Sequence, residues 1–130
     1  MDSEMKNRIT QRLAAIGYTY ASADDFLLDL VFEKIDGRIC HACNIQSVPE
    51  GCMEAEIIDA VCGEFLAGKK ASGNLTGVEI EAIVKAITEG DTKVEFATGN
   101  TGAADIFDAY MTKLATIDPN AIVAHRKMVW

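Results

Sequence analysis

Apolar residues recur at intervals of three and four along most of this chain, and several of these runs open behind a helix start signal. Such spacing turns one face of a helix to a core and the other to water. Met5, Ile9, Leu13 and Ile16 form the first stripe, between a Ser3 cap followed by Glu4 and a stop at Gly17. Lys6, Arg8, Gln11 and Arg12 occupy the other side, which reads as solvated. Phe26, Leu27, Leu30, Val31, Ile35 and Ile39 make the broadest stripe, so the second helix is the expected centre of the core. Ser22 and Asp25 have the spacing of a capping box at its start, and Gly37 inside it weakens it by about 1 kcal/mol relative to Ala. Ser47 with Glu50, and Pro49 between them, open a third helix. Met53, Ile57, Ile58, Val61, Phe65 and Leu66 face inward there, and Gly68-Lys69-Lys70 closes it. A fourth helix spans about Ala103 to Ala115 with Ile106, Phe107, Tyr110, Met111 and Leu114 on its apolar side, and Asp118-Pro119 stops it.

The stretch between the third and fourth helices reads differently. Ala71 to Gly77 is small and polar, a loop. Glu89-Gly90-Asp91-Thr92-Lys93 has the chemistry of a tight reversal, since Gly90 accepts positive φ and Asp91 tolerates it. Val94 and Phe96 then alternate with Lys93 and Glu95, a period of two suited to a strand. Upstream, Val78, Ile80, Ala82, Val84 and Ala86 sit two apart, while Ile80, Ile83, Val84 and Ile87 also fit a helical stripe. A strand at 93–96 needs a ladder partner, which favours a strand over the second half of the upstream run. The expected fold is mainly α: a four-helix bundle-like core with one projecting β-hairpin between helices 3 and 4. A two-stranded hairpin is marginal alone, so this one has to lean on the helices or on neighbouring chains.

The 130 residues make one domain, with 116–130 as a C-terminal interaction tail. A net charge of −8 disfavours a nucleic-acid binder that works by neutralising phosphates, yet suits a surface past which DNA slides without sticking. No apolar run approaches the ~20 residues that span a bilayer. Met1-Asp2-Ser3-Glu4 lacks the basic and apolar regions of a signal peptide, so the chain is expected to stay in the cytoplasm where it is made.

Catalytic chemistry is sparse. Cys40-x-x-Cys43 brackets His41, but Cys52 and Cys62 follow at no compact zinc spacing, and buried reduced thiols account for all four. Neighbouring helical positions point about 100° apart, which spoils Cys40 or Cys43 with His41 as an in-place nucleophile and base. The carboxylate pairs Asp24-Asp25, Glu54/Glu56 and Glu79/Glu81 fit helix starts and solvated faces. Gly68-Lys69 closes a helix instead of opening one, so it is no phosphate loop. No catalytic residue, cofactor or metal is expected. In the tail, Arg126, Lys127 and Trp130 place cations and a large aromatic on an acidic chain; they are interface anchors unless the terminus simply frays.

Val48-Pro49-Glu50, Phe65-Leu66-Ala67-Gly68-Lys69-Lys70, the string from Ile87 to Phe96 and the closing Arg126-Lys127-Met128-Val129-Trp130 together resemble the small head–tail connector (adaptor) proteins of long-tailed bacteriophages and prophages. The likeness runs over most of the chain from about residue 24; helix 1 and the cysteines have no counterpart in it. It implies an α-helical protein with a small β element, about a dozen copies of which form a ring under the portal and extend the DNA channel toward the tail. It also implies that Glu89, Gly90, Asp91, Thr92 and Lys93 project into the channel or against the next subunit. The tail with Arg126, Lys127 and Trp130 would dock on the portal or on the next tail-side connector or stopper protein. On this reading DNA passes without specific binding, no membrane is involved, and the protein joins the virion after synthesis in the bacterial host. The alternatives are a small acidic helical module of bacterial origin that binds one protein partner, and an enzyme built on Cys40, His41 and Cys43.

Overall fold

The computed structural model describes residues 3–45, 54–90 and 103–117. Within them the chain forms α1 (Ser3–Ile16), a 3-10 turn (Ser22–Asp24), α2 (Asp25–Cys43), α3 (Glu54–Ala71), α4 (Gly77–Gly90) and α5 (Ala103–Ala115).

There are five helices and no strand among the described residues, which corrects the expected hairpin. The run from Val78 to Gly90 is helical. Thr76 is its N-cap: the Glu79 N–H donates to Thr76 Oγ1 at 3.1 Å, and the Thr76 N–H donates to Glu79 Oε1 at 3.3 Å. That reciprocal pair satisfies donors a helix start leaves open, and it settles the period in favour of three and four. Ile83 and Ile87 are buried, with Ile80 and Val84 packed beside them. Gly90 therefore ends a helix and turns no hairpin. The partner strand expected at 93–96 lies outside the described residues.

The helix α3 is the hub, in place of the second helix. It packs against α5, α2 and α1, while α4 covers α5 and α1. Ile57, Ala60, Val61, Cys62, Gly63, Phe65 and Leu66 are all buried, wrapping most of its circumference in protein. A helix apolar on more than one side belongs in the middle. The expected start at Ser47-Pro49-Glu50 lies outside the described residues; the end falls at Ala71, one turn past Gly68.

Helix α1 ends as expected. Gly17 has φ +102°, the Tyr18 N–H donates to the Leu13 carbonyl at 2.9 Å and the Gly17 N–H to that of Ala14 at 3.0 Å. This two-bond closure reverses the chain cheaply only with a left-handed residue. The same pair of bonds closes α2 at Asn44 and α3 at Gly73. The polar side of α1, however, is not all solvent-facing. Arg8 bonds Glu54, and Arg12 Nε lies 3.1 Å from Asp59 Oδ1, so both tie α1 to α3.

Candidate functional site

The most concentrated polar chemistry lies where the 18–24 connection crosses the end of α3. Lys69 Nζ donates to Asp24 Oδ1 at 2.7 Å and to the Tyr18 hydroxyl oxygen at 2.6 Å, and the Tyr18 O–H donates to Asp24 Oδ2 at 2.6 Å. The Ala21 N–H also reaches Asp24 Oδ2, at 3.1 Å. Asp24 thus takes the place expected for Ser22 at this helix start, while Asp25 receives the Tyr20 hydroxyl and pairs with Lys6 at 2.8 Å.

Burial works against the charged forms of Asp24 and Lys69, but their mutual hydrogen bond and those of Tyr18 outweigh it. The Asp24 carboxyl is held below its ordinary value and the Lys69 ammonium above its own. Burial first, then the bond to Asp24, pushes the Tyr18 phenol up. At neutral pH the cluster is a carboxylate, an ammonium and a neutral phenol, each engaged with the others. No buried side-chain nitrogen or oxygen among the described residues lacks a partner. Such a cluster clamps one segment to another.

The cysteines follow the packing reading where they are described. Cys62 is wholly enclosed, its thiol 3.8 Å from the Ile9 carbonyl oxygen, and burial pushes that thiol up to about 12. Cys43 is buried, Cys40 half-buried and His41 exposed on α2; Cys52 and His125 lie outside the described residues. No group of three or more potential metal ligands occurs among the described residues.

The surface holds the less expected feature. Phe26 is 75% exposed and Leu30 48% exposed, one turn apart on α2. Both were expected to point inward. The stripe that does so is Leu28, Val31, Ile35, Ile39 and Cys43, which leaves Phe26 and Leu30 on the far side of the helix. The sequence carried a signal for this: the apolar residues of α2 span too much of the circle for one face, so some had to be left outside. Asp29 and Glu33 flank the pair on one side, both exposed, and Asp29 lies near enough to Lys6 to help hold its ammonium charged. Lys34 and Arg38 lie on the other flank and share one carboxylate, Glu64, at 3.3 and 3.4 Å. Near the C-terminal end of α2 is a groove of about 330 Å³, lined by Ile39, Ala42, Ala115 and Ile117 with Arg38 beside them.

Of the residues expected at an interface, Glu89 and Gly90 are in the last turn of α4. Asp91, Thr92, Lys93, Arg126, Lys127 and Trp130 lie outside the described residues. The projecting finger from Glu89 to Phe96 is therefore replaced, over its first two residues, by helix.

No helix among the described residues is long and apolar enough to cross a membrane. Comparison with family models, with curated proteins and with solved structures finds no match for this chain.

Proposed function

We propose that this chain is a structural subunit that assembles with copies of itself, of the head–tail connector kind its sequence resembles, and that it catalyses no reaction. The single observation that carries this reading is the Phe26–Leu30 pair. A phenyl ring held 75% in water at the start of a well-formed helix has no role in the subunit's own core. Monomeric proteins scatter single apolar residues over their surface, but an adjacent pair on one rigid face, bordered by charge, is the composition of a contact surface. The polar cluster adds support from the other side, because Tyr18, Asp24 and Lys69 are consumed by one another.

In this reading the ring sits under the portal, the tail-side partner is another connector or stopper protein, and the net charge of −8 keeps DNA from adhering as it passes. The expected anchors Arg126, Lys127 and Trp130 would then serve the contact with those partners.

The test is the size distribution of the purified protein by mass photometry and negative-stain microscopy over a wide concentration range. Ring-shaped particles of uniform copy number are the expected result. A chain that stays monomeric or dimeric throughout overturns the reading in favour of a one-partner binding module.

A further inference from the structure

We propose that α2 is a separable strap, which leaves the bundle as a unit while the other four helices stay packed. The inference concerns the single subunit and goes beyond the assembly reading.

Three successive residues of α3 face three different helices. The Cys62 thiol lies against Ile9 of α1, Gly63 meets Met111 and Leu114 of α5, and Lys34 and Arg38 of α2 donate to Glu64. Each position is turned about 100° from the last, so α2 lies across α3 from α1. Among the described helices a cycle closes, α1 on α3, α3 on α5, α5 on α4 and α4 on α1, whereas α2 packs on α3 alone. Where Ile39 and Ala42 of α2 come nearest Ala115 and Ile117, a groove of about 330 Å³ stands between them. Removing any member of the cycle opens it; removing α2 leaves it shut.

What holds α2 is one apolar stripe, Leu28, Val31, Ile35, Ile39 and Cys43, and a few polar ties. The ties of Lys34 and Arg38 to Glu64, and of Lys6 to Asp25, join half-exposed side chains and are worth little in water. Gly37 stands exposed in the middle of the helix and weakens it from within. The buried Tyr18–Asp24–Lys69 cluster, by contrast, pins the residue just before α2 to the end of α3, and is the fixed point from which the strap opens. A segment with one packed face and solvent-exposed ties opens ahead of global unfolding. Phe26 and Leu30 ride on it, so the exposed apolar pair belongs to the helix that can move without breaking the bundle.

Native-state hydrogen exchange of the full chain, at low protein concentration and in urea below the unfolding transition, reads this opening. Amides 31–39 should exchange together, at least about tenfold faster than the slowest amides of α3 and α5. Their dependence on urea should be shallower, because less surface is exposed. Gly63→Ala separates the two events. It strains the contact between α3 and α5, which stays intact when α2 opens. The slow amides of α5 should therefore quicken by about fivefold to about 100-fold while amides 31–39 keep their rate. If amides 31–39 share the urea dependence of α5, or quicken with it in the variant, α2 unfolds only with the whole chain and the proposal falls. Should Gly63→Ala fail to fold or leave α5 unchanged, the urea dependence of the wild type decides alone. A chain that forms no rings leaves a separable α2 standing, and a chain that opens only globally leaves the assembly reading standing.

Discussion

A Cβ added to Gly63 would lie 2.8 Å from the Met111 carbonyl oxygen, closer than real Cβ contacts come. It would also meet the Ala115 nitrogen at 2.8 Å and Leu114 Cβ at 2.9 Å. The middle of α3 thus touches the backbone of α5 directly, and the absence of a side chain at residue 63 sets the separation of the two helices. Backbone cannot rotate away as a flexible side chain can. Gly63→Ala, although it raises helix propensity, should therefore lower stability by about 1–3 kcal/mol, as overpacking does. Urea denaturation followed by circular dichroism reads it; a stabilised variant would show that the helices are free to part.

Gly37 gives the opposite expectation for the same substitution. Nothing lies within 4 Å of a Cβ built there, and the residue is exposed in the middle of α2. Gly37→Ala should raise stability by about 0.5–1 kcal/mol through the unfolded chain's lost freedom. The two glycines, measured side by side, separate packing from propensity.

The Tyr18–Asp24–Lys69 cluster makes stability depend on pH at both ends. Asp24 titrates below its ordinary 3.8 in the folded protein, so its contribution is present above that value and is lost as pH falls through the lowered one. Lys69 titrates above its ordinary 10.5 and Tyr18 above its ordinary 10.0, so their contributions hold below those values and are lost as pH rises through the raised ones. Lys69→Met should cost about 3 kcal/mol by stranding a buried carboxylate, and it should weaken the acid-side dependence. Adding Asp24→Leu to Lys69→Met should recover much of the loss, since no stranded charge remains. Melting curves from about pH 2 to about pH 12 check both arms.

The cap at Thr76 should be worth about 1 kcal/mol to the fold. Thr76→Ala removes the acceptor for the Glu79 N–H, and hydrogen exchange should quicken in the first turn of α4 before it does in α3. Unchanged exchange there would mean that packing of Ile83 and Ile87 holds α4 without its cap.

Thiol reactivity distinguishes the cysteines. Cys62, enclosed and with its thiol pushed up to about 12, should resist iodoacetamide at pH 8 in the folded chain, whereas half-buried Cys40 should be alkylated. Peptide mapping by mass spectrometry identifies the sites; rapid native labelling of Cys62 would mean that α1 lifts off α3.

The helices α1 and α5 could be read from the sequence because each carries a single stripe closed by a local stop signal. Gly17 and the run Phe107, Tyr110, Met111 and Leu114 announce themselves within one or two turns. Residues 78–90 were ambiguous for a physical reason: their apolar positions satisfy a period of two and a helical one together. The Thr76–Glu79 box, which decides between them, sits in a stretch that otherwise has the composition of a loop.

The candidate surface was hidden for a related reason. Periodicity shows that α2 is rich in apolar residues but not which of them finds a neighbour. Amino-acid order by itself determined that the chain is mainly helical, where α1 and α5 run, and that Cys43 and Cys62 fall on helices as packing residues. Only the tertiary structure decided that α3 is the hub, that Arg8 and Arg12 are ties to it, and that Phe26 and Leu30 are left in water. Local spacing specifies a face, whereas burial is conferred by whatever helix arrives from elsewhere in the chain to cover it.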